Sequence, residues 1–97
     1  MEAVFASDTH VMNQVAKCES GWRQFNKEGS VLRGKVNNKD VGYFQINETY
    51  HLDTSIRLGY DIYTLIGNIL YAKYLLDTYG LKPWKASESC WNPSSSP

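Results

Sequence analysis

The chain has 97 residues, a length that closes one hydrophobic core and leaves too little apolar surface for two. Apolar residues make up 42% and charged residues 21%, which offsets backbone ordering and argues against wholesale disorder. Ten Lys and Arg balance ten Asp and Glu, so the basic excess that captures nucleic acid is missing, and no apolar stretch approaches the roughly 20 residues of a membrane-spanning helix.

In chain order, residues 1–8 carry Glu2 and Asp8 with neither a basic start nor an apolar run, so no export signal is visible and the segment reads as an N-terminal extension. Either a signal has been removed or this is one domain of a larger multidomain protein. Asp8 or Thr9 caps a first helix over Thr9–Ser20, whose Val11, Met12, Val15, Ala16 and Cys18 recur at three- and four-residue steps, with Gly21 as its stop. Glu19 shares a stripe with Met12, Val15 and Ala16, so a carboxyl group points where a core residue is expected. Around Asn37-Asn38, β-branched and aromatic residues predict a short hairpin, with Val31–Lys35 pairing to Val41–Gln45. A short helix then runs from Glu48 to a stop at Gly59. A longer one follows over Leu65–Tyr79, capped by Thr64 and stopped by Gly80, with Ile66, Ile69, Leu70, Tyr74 and Leu76 as its buried stripe. Pro83 suits the first turn of a last short helix reaching Cys90. The folded domain spans 9–91, and 92–97, Asn92-Pro93-Ser94-Ser95-Ser96-Pro97, looks like the start of a linker. The fold class is α+β, mostly helical with a small β excursion.

Two cysteines, Cys18 and Cys90, bracket most of the chain. They suit one disulfide in an oxidising compartment, with two reduced, buried thiols as the alternative. No Cys or His spacing preorganises a zinc site with His10 and His51, so no metal is expected. Asn47-Glu48-Thr49 fits a glycosylation acceptor, read here as coincidence because a glycan there would obstruct the cleft proposed below.

The sharpest motifs are Cys18-Glu19-Ser20-Gly21-Trp22 and Asp40-Val41-Gly42-Tyr43-Phe44-Gln45-Ile46-Asn47. With Asn68-Ile69 and Tyr74-Leu75 in order behind them, the sequence resembles the lysozyme-like superfamily of peptidoglycan-cleaving glycosidases. Glu19-Ser20-Gly21 and Gly42-Tyr43-Phe44-Gln45-Ile46 look like the helix end and cleft segment of soluble lytic transglycosylases. Val15 to Gly21 is similar to resuscitation-promoting factors, where a Cys beside the catalytic Glu bonds a Cys near the domain end, as Cys18 and Cys90 would. Asp40 to Asn47 looks like the chicken-type lysozymes, which implies a second catalytic carboxylate at Asp40. The resemblance spans about Val11 to Trp91, with Cys90-Trp91-Asn92 only a loose echo of the transglycosylase Ala-Tyr-Asn.

What the resemblance implies is a lysozyme-like fold with a small hairpin beside an active-site cleft. It implies cleavage of the β-1,4 bond between N-acetylmuramic acid and N-acetylglucosamine by a secreted or envelope-facing monomer, without a cofactor. Glu19 is the expected general acid, its apolar setting disfavouring the ionised form. Asp40 is expected as nucleophile or stabilising charge, with a surface Asp as the alternative; without it the substrate's N-acetyl group could attack and leave a 1,6-anhydro end. Gln45 and Asn47 share one side of an extended segment, where their amides can bind sugar, and Ser20 is a further substrate-binding candidate. Tyr43 is preferred over Trp22, Trp84 and Trp91 as a flat face for a sugar ring. The partner is the peptidoglycan glycan strand. A catalytically silent glycan-binding module and a protein-interaction domain are the rivals. The neutral net charge departs from the basic balance common among lysozymes, so capture of anionic walls by the whole molecule should be weak.

Overall fold

The computed structural model describes residues 2–93; the expected linker falls largely on 94–97, outside the described residues. The architecture is α+β and mostly helical, with one two-stranded antiparallel sheet. Helix α1 (Glu2–Phe5) and a 3-10 turn (Ala6–Asp8) lead into α2 (Thr9–Ser20). Strands β1 (Asp40–Val41) and β2 (Ile46–Asn47) are followed by α3 (Glu48–Leu58) and α4 (Leu65–Tyr79). A 3-10 helix (Lys82–Ser87) and α5 (Glu88–Trp91) close the chain.

The helix limits are written in local chemistry. Asn47 caps α3 by accepting from the Tyr50 N–H, and Thr64 caps α4 by accepting from the Gly67 N–H at 3.0 Å. Gly21, Gly59 and Gly80 end α2, α3 and α4. The last expected helix is two pieces, a 3-10 segment with Pro83 in its first turn and then α5, with a kink at Trp84.

The core reaches ahead of Thr9 to Phe5. Phe5 is fully buried, its ring edge-on to Phe44 at 5.6 Å, and it joins Met12, Val15 and Ala16 of α2 with Tyr71, Ala72 and Leu75 of α4 in the core. The α4 stripe also needs correcting. Its buried residues are Gly67, Asn68, Tyr71, Ala72 and Leu75, whereas Ile66 is 67% exposed and Ile69, Leu70, Tyr74 and Leu76 are only partly buried. Gly67 decides the face: a Cβ there would lie 1.9 Å from the Asp61 carbonyl oxygen, so this side of the helix alone can approach the 61–62 backbone.

The hairpin differs from expectation as well. Val31–Lys35 does not form a strand with Val41–Gln45; a single antiparallel bridge joins Arg33 to Val41, and the ladder proper pairs Asp40 with Asn47 and Val41 with Ile46. Residues 42–45 form a turn because two buried amides claim its backbone. Gln24 Oε1 accepts from the Tyr43 N–H at 2.8 Å, Asn68 Oδ1 accepts from the Phe44 N–H at 2.9 Å, and Asn68 Nδ2 donates to the Val41 and Ile62 carbonyls. Gly42 has φ +78°, and a Cβ on it would lie 2.6 Å from both amides. The motif glycine is therefore the space these side chains occupy. Among the described residues, no buried side-chain N or O lacks a hydrogen bond.

A Cys18–Cys90 disulfide, with Cα atoms 6.0 Å apart, ties the end of α2 to α5 across 72 residues of sequence. It settles the open choice between bridged and reduced cysteines and removes both thiolates from the zinc alternative. On the chain-entropy estimate a loop of that length stabilises the fold by about 4 kcal/mol. No helix among the described residues is long and apolar enough to cross a membrane.

Candidate active site

Two adjoining cavities, of about 560 and 260 Å³, share Glu19, Asp40, Gln45 and Ala86 and together make one cleft with these residues at its waist. The end of α2 and the Lys82–Ser87 segment supply one wall. The hairpin supplies the other, and β2, Tyr50 and His51 extend the smaller arm.

Glu19 is half-buried at the waist. Burial pushes its carboxyl above the usual carboxylate range; a hydrogen bond from Ser87 pulls the other way, and the negative charge of Asp40 adds to the rise. Ser87 Oγ donates to Glu19 Oε2 at 2.5 Å and lies 3.2 Å from the Trp84 carbonyl. Ser87 escaped sequence reasoning, since it lies 68 residues from Glu19 in no recognised motif. Only Cys90, three positions further on, hints that the last segment returns to the Glu19 end of α2.

Asp40 opens β1, half-buried, and its Oδ1 accepts from Asn47 Nδ2 at 3.0 Å across the ladder. The side chain of Asn47 is thus divided between capping α3 and orienting Asp40. That arrangement makes it a positioning residue for Asp40, with one N–H of its amide committed to that carboxylate. Gln45 lines both cavities from a left-handed backbone position, φ +52°, with its Nε2 donating to the Gly42 carbonyl at 3.0 Å. Its other polar atom is directed at the Gly34 side of the hairpin.

Ser20 and Tyr43 sit otherwise than expected for sugar contacts. Ser20 lines the larger cavity but is buried, its Oγ donating to the Tyr43 carbonyl at 2.7 Å and accepting from the Arg23 N–H, so it locks α2 to the turn. Tyr43 lines neither cavity; its ring is edge-on to Phe44 at 5.3 Å. Trp22 also lies outside the lining, with its Nε1 donating to the Asn13 carbonyl. Trp84 reaches the smaller cavity but is only 2% exposed, its Nε1 donating to the Phe44 carbonyl, and Trp91 donates to Trp84. The accessible aromatic face in the cleft belongs to Tyr50, 79% exposed on the first turn of α3. Its sequence signal was masked because it follows the motif rather than belonging to it.

Arg23, Arg33 and Lys35 line the larger arm, while the smaller arm carries His51, whose Nδ1 lies 2.9 Å from the Tyr71 hydroxyl. Burial lowers the His51 pKa and pushes the Tyr71 phenol up to about 12. No protein-family model, curated protein or solved structure matches this chain. The chemistry of the cleft is therefore read from its own residues.

Proposed function

We propose that this chain is a peptidoglycan-cleaving glycosidase of lysozyme-like fold, with Glu19 as general acid at the β-1,4 bond between N-acetylmuramic acid and N-acetylglucosamine. The observation that carries the reading is the pairing of two carboxyl groups in unlike settings at one cleft waist. One is half-buried, with desolvation raising its pKa; the other is hydrogen-bonded by a side-chain amide. Cleaving an acetal needs a proton on a poor leaving oxygen and negative charge near the developing oxocarbenium centre. Glu19 gives the proton to the leaving oxygen. The Ser87 hydroxyl then strengthens its bond to the carboxylate that remains, and Asp40 faces the cationic sugar. Gln45 supplies amide groups, and the ring of Tyr50 offers a flat face on which a pyranose can lie. A disulfide between α2 and α5 suits work outside the reducing cytosol.

The test is mass spectrometry of peptidoglycan digested by the chain and by Glu19→Gln. New reducing ends identify hydrolysis and 1,6-anhydro ends identify transglycosylation. Sacculi left intact by wild type would overturn the reading. If wild type and Glu19→Gln bind saccharide equally and neither cuts, the silent glycan-binding module replaces it.

A further inference from the structure

The two arms of the cleft differ in charge. Apart from Glu19 and Asp40 at the waist, the smaller arm carries His51 and no Lys, Arg, Asp or Glu, whereas the larger arm gathers Arg23, Arg33 and Lys35. Three cations thus collect at one end of a groove in a molecule whose net charge is zero. Arg33 is already paired, donating to Glu48 Oε2 at 2.8 Å and to the Asn38 carbonyl. Arg23 uses only Nε, donating to the Ser20 carbonyl at 3.0 Å, which holds its guanidinium against Gly21 at the end of α2. Neither Arg23 nor Lys35 has a carboxylate partner among the described residues. Neutral sugar hydroxyls and acetamides give no reason for such a cluster. A guanidinium fork beside an ammonium suits a carboxylate.

We propose that Arg23 and Lys35, backed by Arg33, form a carboxylate subsite that takes the acidic peptide substituent of a glycan strand and so fixes which way the strand lies across Glu19. The assignment rests on the glycosidase reading for its substrate, and it deepens that reading. A globally neutral molecule gains little from long-range attraction to an anionic wall, yet a local cationic arm retains short-range preference within a Debye length, about 10 Å at 0.1 M salt. The subsite selects strands that still carry their peptides over strands stripped of them.

The experiment measures affinity on the Glu19→Gln chain, so that nothing is cut, with glycan strands freed of phosphate polymers and compared with and without their peptides, the lactyl carboxyl that stripping frees being blocked as its amide. Peptide-bearing strands are expected to bind about tenfold tighter at low salt, with the preference lost near 0.5 M salt. Lys35→Gln and Arg23→Gln each remove about threefold of the preference and leave affinity for stripped strands unchanged. Lys35 has no partner to lose among the described residues, so its variant keeps the test sound if Arg23→Gln disturbs α2. Equal affinity for both strand types, variants that weaken both alike, or binding of neither would each overturn the subsite. Preferential binding without cleavage by wild type would instead sink the glycosidase reading and leave the subsite standing.

Discussion

The wall that carries Glu19 is made of helix ends: α2, the Lys82–Ser87 segment and α5, joined by the Cys18–Cys90 bridge and backed by Trp84 and Trp91. The wall that carries Asp40 is a two-residue ladder and a turn, held by the amides of Gln24, Asn68 and Asn47 and by Glu48, which accepts from Arg33 and from the Tyr63 hydroxyl at 2.7 Å. Apolar burial favours a carboxyl that keeps its proton, and the single hydroxyl donor, Ser87, opposes it. A lattice of amides holds a short, irregular stretch of backbone that could not hold itself, because two ladder pairs are too few for independent stability. The same cleft thus has a dry, apolar-backed wall and a hydrogen-bonded one, with one carboxyl group on each.

The largest expected effect falls on the dry wall. Glu19→Gln should lower turnover by about a thousandfold or more while saccharide binding persists, read by release of soluble muropeptides. It should also change stability in a pH-dependent way. The folded-state pKa of Glu19 is raised, so the stability linked to its proton is fully present below the unfolded carboxyl range and is lost as pH rises through the folded value. Denaturant titrations should find Glu19→Gln more stable than wild type near neutral pH, with the gap closing in acid; a gap independent of pH would show that the dry wall does not act on Glu19.

Opening the bridge with Cys18→Ser and Cys90→Ser together should cost about 4 kcal/mol in urea denaturation, because the closed loop is long. On the hydrogen-bonded wall, Asn68→Ala should cost about 3 kcal/mol, since the Phe44 N–H and the Val41 carbonyl lose their buried partner. Equal stability in that variant would mean the turn holds itself. Asp40→Asn keeps an oxygen for Asn47 to donate to and removes only charge, so a rate loss of about a hundredfold with unchanged melting is expected. A rate within twofold of wild type, about 0.4 kcal/mol, would leave Asp40 a structural residue of the ladder.

The smallest effect is also the most specific. Ser87→Ala should cut the rate about tenfold and move the alkaline limb of the pH–rate profile upward, because the lost hydrogen bond favoured the ionised carboxylate. An unmoved limb with a lowered rate would assign Ser87 to packing alone.

Legibility in the sequence followed the range of the interactions concerned. The end of α2 and the limits of α3 and α4 could be read at Gly21, Gly59, Thr64 and Gly80, since caps and stops act within four residues of the position they define. The cap expected of Asp8 or Thr9 is not made: Asp8 forms no side-chain capping bond and the Thr9 hydroxyl donates back to the Ala6 carbonyl. Glu19 on its apolar stripe and Asp40 in its motif were likewise visible, and both line the cleft. The buried face of α4 was not, because Leu65, Ile66, Ile69 and Leu70 spread apolar surface around the helix while its inward residues include Gly67 and Asn68. Tyr43 seemed the better sugar platform only while its packing against Phe44 was unknown.

The amino-acid sequence by itself determined where α3 and α4 begin and end, where α2 stops, and which two carboxyl groups to look for in the cleft, because periodicity, caps and short motifs act between near neighbours. Only the tertiary structure decided that Ser87 meets Glu19, that Gln24 and Asn68 shape the turn after Val41, and that Arg23 and Lys35 stand at one end of the groove. These contacts join residues distant in the chain. Each depends on which surfaces bury best against one another, a sum over many elements that no local window of sequence contains.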